Sequence, residues 1–383
     1  MSEPRSAPGS IEPHGNPGNP GTKTWLRQTF KAANGHTFTV SIGVIRGAKP
    51  GPICTHIGGQ HGMEHTGPIV LRDVFNEIDP ADLCGTLYIC PCANPPALVL
   101  DYEVYPEQVE HEQLMRDGVD GKALGFGKRE DLGELNMNRL WPRGDDGVAG
   151  QVVRWLWQTA VEPADVVVDH HAVRCALKPY IFAEAEVTDW TPLLGMECVW
   201  CTGPVVANAD DYPYRRLCMQ AIRVGKVGMC IEYATQHMIM EDDRPIGRFA
   251  VMNLCRALGM LPGEVVIRKP VWLIEGPYWE NSVEVTSKAI GHPHYVVEEY
   301  ELLKKGQLIA RVYCPQTNEL LDEVVSPCDG LMLNRNPMAM HIPGGKKDWI
   351  CRVGVNVRLL AEPGKPYTVP ALKSRELAAN ERE

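Results

Sequence analysis

Three apolar runs, each stopping at residues that carry chemistry, most constrain how this chain can fold. Ile53-Cys54-Thr55-His56-Ile57 reads as a buried strand and halts at Gly58-Gly59, where the backbone can turn sharply towards a site. Val166-Val167-Val168 ends in Asp169-His170-His171, and Met229-Cys230-Ile231 ends in Glu232. Between these runs apolar residues repeat at helical spacing. Ile69, Leu71, Val74, Phe75 and Ile78 do so behind the start signals Thr66 and Pro68, and further helical patterns cover Gln151 to Thr159, Tyr214 to Val224 and Pro245 to Leu258. Alternating strands and helices predict an α/β domain, with a mainly parallel or mixed central sheet covered by helices on both faces. In such a sheet the ligand crevice opens beyond the carboxyl ends of the strands.

That edge is where the chain places His61-Gly62-Met63-Glu64 and, much later, His171. Two imidazoles and one carboxylate make an open three-ligand zinc site, with a fourth tetrahedral position left for a water whose pKa the metal lowers towards neutrality. The expectation is one Zn2+ per chain, generating a hydrolase's nucleophile. Asp169 is placed to accept the free ring N–H of a ligand histidine and so fix its tautomer. Two alternatives stay open. His170 competes with His171, because neighbours on a strand point to opposite faces. His61 to His65 also fits the inverted zincin pattern, in which both histidines bind metal and Glu64 is the base. That pattern needs a helix through 61 to 65, and Gly58, Gly59, Gly62, Gly67 and Pro68 argue against one. His56 and His65 read as pocket-lining or buried hydrogen-bonding residues.

An ordered set of motifs surrounds these residues. Gly58-Gly59-Gln60-His61-Gly62-Met63-Glu64 is followed by Asn94-Pro95-Pro96-Ala97, Asn136-Met137-Asn138-Arg139-Leu140-Trp141-Pro142, Ala164 to His171, and Val227 to Glu232. In this order they resemble the succinylglutamate desuccinylase and aspartoacylase family, relatives of the zinc carboxypeptidases, and particularly its N-acetyl-diaminobutyrate deacetylase-like branch. The resemblance covers about residues 25 to 260, with the β-rich remainder matching in character. It implies that His61, Glu64 and His171 hold the zinc, His170 occupying the family's usual leucine position. It implies that Glu232 is the general base and acid, and that Asn138 and Arg139 receive the substrate or the developing oxyanion. A carboxylate near the ion can take a proton from water and return it to the leaving amine. A guanidinium offers two parallel donors to a carboxylate or a tetrahedral oxygen.

Composition excludes other classes. The formal net charge of −10, with no Lys/Arg stripe to offset it, argues against nucleic-acid binding. No uninterrupted apolar segment approaches the ~18 residues of a membrane span. The polar, Pro/Gly-rich start contrasts with a cleavable leader, so a cytoplasmic location is expected. Thirteen cysteines then read as reduced thiols, many acting as small hydrophobes. Cys198-Val-Trp-Cys201 lacks the second pair of a structural zinc site and the helix start of a redox motif.

Four regions emerge: a disordered tail over 1–22, a zinc-dependent catalytic α/β domain over 23–267, a small all-β domain over 268–369 and a C-terminal tail over 370–383. Glu323 to Gly330 resembles a lipoyl or biotinyl carrier barrel, but no convincing Met-Lys-Met equivalent of the carriers' modifiable lysine is found near Met338-Ala-Met340, so the β domain is expected to be a wall or an assembly surface. His292 and His294 lack a third ligand and read as surface residues. A long segment, 101 to 135, carries ten acidic residues against four Lys/Arg and lacks the Ser-Arg pair usual in the family, whose arginine helps hold a substrate carboxylate. An acidic rim attracts cations, so a neutral or cationic substrate is expected there; a merely solvated loop is the competing reading. The chain thus reads as an amidohydrolase acting on a small acylated amino acid or related amide, with no nucleic-acid or membrane partner and homo-oligomerisation left open. The alternatives are a carboxypeptidase-like hydrolase of short peptides or another C–N bond, and a non-catalytic binder on the same fold.

Overall fold

The computed structural model describes residues 18–32, 35, 37–100, 136–144, 147–173, 178–205, 215–268, 271–276, 280–335, 349–361 and 365–372. The acidic segment 101–135, the tail up to residue 17 and the C-terminal residues from 373 lie outside these.

The predicted runs become the centre of a ten-stranded sheet. Its strands are β1 (Thr22–Lys31), β2 (Thr37–Arg46), β3 (Lys49–Gly58), β4 (Cys84–Cys90), β5 (Val166–Ala172), β6 (Tyr180–Ala183), β7 (Cys198–Cys201), β8 (Val227–Tyr233), β9 (Val271–Glu275) and, from far along the chain, β17 (Val357–Ala361). They lie in the order β1-β2-β4-β3-β5-β8-β6-β7-β9-β17. The core β4-β3-β5-β8 is parallel, while β1-β2, β2-β4, β6-β8 and β9-β17 are antiparallel, so the sheet is mixed.

Helices cover both faces. On one, α1 (Thr66–Glu77) and α5 (Asp243–Ala257) bury Val70, Leu71, Val74, Leu254 and Cys255 against Val166, Val168 and Ile231. On the other, α3 (Val148–Leu156) and α4 (Leu217–Arg223) bury Val152, Val153, Leu217 and Ala221 against Ile57 and Val167. The short α2 (Pro95–Leu100) follows β4. Such apolar burial, worth about 1.5–3 kcal/mol for each large side chain, is what anchors the loops at the strand ends.

The stretch from 268 onward gives two strands, β9 and β17, to the large sheet. The strands between them make two small antiparallel sheets: β10 (Ser282–Thr286), β16 (Trp349–Gly354), β15 (Gly330–Arg335) and β12 (Leu302–Leu303) in one, β11 (His292–Tyr295), β13 (Leu308–Tyr313) and β14 (Leu320–Val325) in the other. They share an apolar core of Val285, Ile309, Val312, Val324, Met332, Cys351 and Val353. A second contact packs Tyr300, Leu331 and Leu333 against Tyr180, Cys198 and Trp200 of the large sheet.

Candidate active site

The site gathers where β3, β5 and β8 end side by side. Register pairs Gly58 with His170 across β3 and β5, and His171 with Glu232 across β5 and β8. Beyond β3 the chain turns at Gly59, whose φ of +62° suits glycine and where a Cβ would come within 3.0 Å of Cys92 Cα and Pro91 O. Residues 59–65 form an irregular loop with one turn, closed by Glu64 N–H to His61 O at 3.4 Å, and the helix that the inverted zincin pattern requires is not there. Helix α1 begins only at Thr66, whose hydroxyl accepts from the Met240 N–H at 3.0 Å and so docks the loop that follows β8.

This turn brings His61, Glu64 and His171 together: one ligand atom from each lies within 4.8 Å of the others, and all three residues are buried. His171 Nδ1 lies 3.0 Å from Glu64 Oε2 and its Nε2 lies 2.9 Å from Asp169 Oδ2. The His61 and His171 rings are 4.7 Å apart. Asn138 Nδ2 reaches His61 Nε2 at 2.9 Å from a 3-10 turn, Met137–Arg139, whose start is capped by Asn136 Oδ1 accepting from Asn138 N–H at 3.0 Å. Arg139 belongs to the same turn, and its carbonyl accepts from Arg215 Nη1 at 3.3 Å.

His170 points the other way. Strand alternation sets it on the face of Val166 and Val168, where its Nε2 meets His56 Nδ1 at 2.9 Å and its Nδ1 meets the Tyr233 hydroxyl at 3.0 Å. His56 contacts Cys54 Sγ at 3.3 Å, consistent with a buried hydrogen-bonding role.

Electrostatics separate the two faces. Burial alone would lower His171, but the charges of Asp169 and Glu64 and their hydrogen bonds hold it well above the ordinary histidine value. Burial works to raise Glu64, and the nearby His61 and His171 outweigh it, keeping the carboxyl below its usual range. Glu232 is pushed up to about 7, chiefly by burial, with His171 opposing and Glu64 adding to the rise. By contrast burial lowers His56 to about 3 and takes His170 well below its ordinary value.

The donor set fits a divalent ion: two imidazoles and a carboxylate converge where the neighbouring Asp169 and Glu64 favour positive charge at His171. A second cluster, Asp169, His171 and Cys230, also lies within 4.8 Å. It fits less well. Burial and the neighbouring Glu232 and Asp169 raise the Cys230 thiol well above its ordinary value, which favours the protonated form over the ligating thiolate, and Asp169 Oδ1 already accepts from Gln60 Nε2.

Several neighbours carried no motif of their own. Gln236 donates to Glu64 Oε1 at 3.2 Å. Cys230 Sγ lies 4.0 Å from Glu232 Oε1, a proximity that two-residue strand alternation could have signalled. Tyr180 is the cross-strand partner of Glu232, and Phe182 that of Cys230. Arg216, bound to the buried Glu184 at 2.9 Å, lies 5.8 Å from the Phe182 ring. Cys198 and Cys201 sit at the two ends of β7, both buried, and burial raises both thiols.

The family model for the succinylglutamate desuccinylase/aspartoacylase catalytic domain matches residues 51–243. An N-alpha-acetyl-L-2,4-diaminobutyric acid deacetylase of Halomonas elongata is 24% identical over 269 residues, which are 69% of this chain and 71% of that protein. Among solved structures, a succinylglutamate desuccinylase from Silicibacter sp. TM1040 superposes with a TM-score of 0.63 at 19% identity, covering 87% of this chain and 94% of the other. The product-bound ectoine utilization protein of Ruegeria pomeroyi gives a TM-score of 0.62 at 20% identity, covering 87% and 95%. At these identities the structural likeness concerns the fold.

Proposed function

Because the chain belongs to the succinylglutamate desuccinylase/aspartoacylase family, we propose that it is a zinc-dependent deacylase that hydrolyses the amide of a small N-acyl amino acid or related amide. The observation that carries this reading is the convergence of His61, Glu64 and His171 on the strand ends beside Glu232. His61, Glu64 and His171 would hold the ion. Zinc bound there lowers the pKa of a water molecule towards neutrality and polarises the carbonyl.

The chain's own groups do the rest. Glu232 takes a proton from the attacking water and delivers it to the amine nitrogen as the C–N bond breaks, which releases a carboxylate and an amine. Its value of about 7, set mainly by burial, suits a group that must both accept and donate near neutral pH. A cation at the three ligands draws that value down and favours the ionised, proton-accepting form. Arg139, beside Asn138, steadies the oxyanion or a substrate carboxylate, and Asn138 also bonds His61. Asp169 keeps His171 in one orientation. The β-rich region over 268–369 serves as a wall through Tyr300, Leu331 and Leu333, which pack on Tyr180 beside Glu232.

The name of the Halomonas relative supports an acetylated diamino acid as the first substrate to try. The acidic segment 101–135 supports the same choice over N-acetyl-aspartate. The reading is tested by metal analysis, a screen of both compounds and Glu232→Gln. We expect bound zinc, preference for the diaminobutyrate compound, and a loss of about 10²- to 10⁴-fold in turnover with zinc retained in the variant. Full turnover in Glu232→Gln, or ligand binding without hydrolysis in the native protein, contradicts it. A clear preference for N-acetyl-aspartate overturns only the substrate choice.

A further inference from the structure

The two carboxylates that flank His171 are held in the same way. Asp169 turns Oδ2 to the imidazole Nε2 at 2.9 Å, while its Oδ1 accepts from the side-chain amide of Gln60. Glu64 turns Oε2 to Nδ1 at 3.0 Å, while its Oε1 accepts from the side-chain amide of Gln236 at 3.2 Å. Each glutamine is itself fixed. Gln60 Oε1 accepts the indole N–H of Trp141 at 2.8 Å, which leaves the NH2 end for Asp169. The Gln236 amide also donates to the Ala172 carbonyl at 2.8 Å, one residue beyond His171. Gln60 and Asp169 are 0% and 1% exposed and Trp141 is 1% exposed, so water does not compete for the Trp141–Gln60 and Gln60–Asp169 bonds.

A carboxylate turns easily about its last torsion and can offer either oxygen, or both, to a cation. An amide N–H on one oxygen removes that freedom. Trp141 lies two residues beyond Arg139, and Asn138 in the same segment touches His61, so the segment is attached to the site at two points. The main-chain carbonyl of Gln60 adds a further tie, accepting from Asn94 Nδ2 at 2.9 Å.

We propose that Gln60 and Gln236 are paired positioning residues: each holds one oxygen of Asp169 or Glu64 so that the other is directed at His171, and Gln60 couples this arrangement through Trp141 to the segment carrying Asn138 and Arg139. The inference rests on the metal-binding reading above and deepens it. A bridge that only stabilised the fold would change melting without changing metal affinity.

Three variants of the full chain test it: Gln60→Met, Gln236→Met and Trp141→Phe. Zinc affinity is measured on metal-free protein by chelator competition, alongside the thermal midpoint without metal. We expect each methionine variant to weaken zinc binding about 10- to 100-fold. Trp141→Phe should weaken it less, and the Gln60→Met/Trp141→Phe double variant should bind no more weakly than Gln60→Met alone, because both act through one chain of contacts. Native affinity in both methionine variants, or additive losses in the double variant, overturns the proposal. Should Gln60→Met fail to fold, the half-buried Gln236 decides the outcome. Native protein that binds no divalent ion defeats the metal-binding reading itself; native zinc binding with unaffected variants defeats only this inference.

Discussion

His170 and His171 are neighbours on one strand with the same side chain, yet the fold drives their proton affinities in opposite directions. His171 lies between two carboxylates and is raised; His170 lies between an imidazole and a phenol, both uncharged, and burial lowers it. Both are almost fully buried. Depth therefore does not decide the charge state; the neighbours placed on each face do. One face is built to hold positive charge, and the other is a neutral polar plug beneath it. Gly67 lets α1 pack closely on the second face, since a Cβ there would come within 3.0 Å of His170 Cβ.

The sharpest way to break this contrast is to remove each ring in turn. His171→Ala should abolish zinc retention, costing more than the roughly 100-fold seen when an outer partner of a ligand is lost. His170→Phe should leave zinc affinity within a few-fold but destabilise the protein by about 1–3 kcal/mol, because His56 and Tyr233 lose their buried partner. Chelator competition and denaturant unfolding on both variants separate these outcomes. A His170→Phe protein that loses its zinc would show that the faces are not independent.

Acid offers a second, smaller lever. His56 is held neutral, with its folded value near 3 against an ordinary value of 6.5. The unfolded chain then binds the extra proton first, so this contribution is fully present above about pH 6.5 and is lost as pH falls towards 3. In metal-free protein the loss should approach about 1.4 kcal/mol per pH unit within that window. His171 works in the opposite sense: its contribution is present below its ordinary value and fades as pH rises through the raised folded value. Unfolding series on native protein and His56→Asn should differ in slope below pH 6.5, and parallel slopes would remove His56 from the account. Smallest of all, Tyr233→Phe should cost about 1 kcal/mol without altering zinc affinity, by deleting one hydrogen bond to His170.

What could be read from the chain itself follows from the range of the forces. The strand runs, the helix behind Thr66 and the grouping of His61, Glu64 and His171 were legible because periodicity and motif order are local properties. The choice between His170 and His171 was open from alternation alone, since a period of two says that neighbours diverge but not which one meets Glu64. Gln236 gave no signal: its contact with Glu64 exists only because the loop after β8 folds back, with His237 N–H bonding to Met63 O at 2.7 Å. Gln60 lay inside the run Gly58 to Glu64, yet nothing local ties a glutamine to Trp141 far along the chain. Tyr180 was equally silent, because the antiparallel placement of β6 beside β8 is a tertiary choice. Residues 101–135, expected to set substrate charge, lie outside the described residues.

The pairing of β17 with β9 has a consequence for biosynthesis. Val357 lies opposite Ile274, so the edge of the catalytic sheet is sealed by a strand made 83 residues later. Until that strand emerges, Val271, Leu273 and Ile274, all but inaccessible in the finished protein, line an uncapped rim able to recruit other chains. A nonsense codon anywhere in the small sheets would thus do more than delete a wall. It would leave the large sheet open and prone to aggregate, even with His61, Glu64 and His171 already translated.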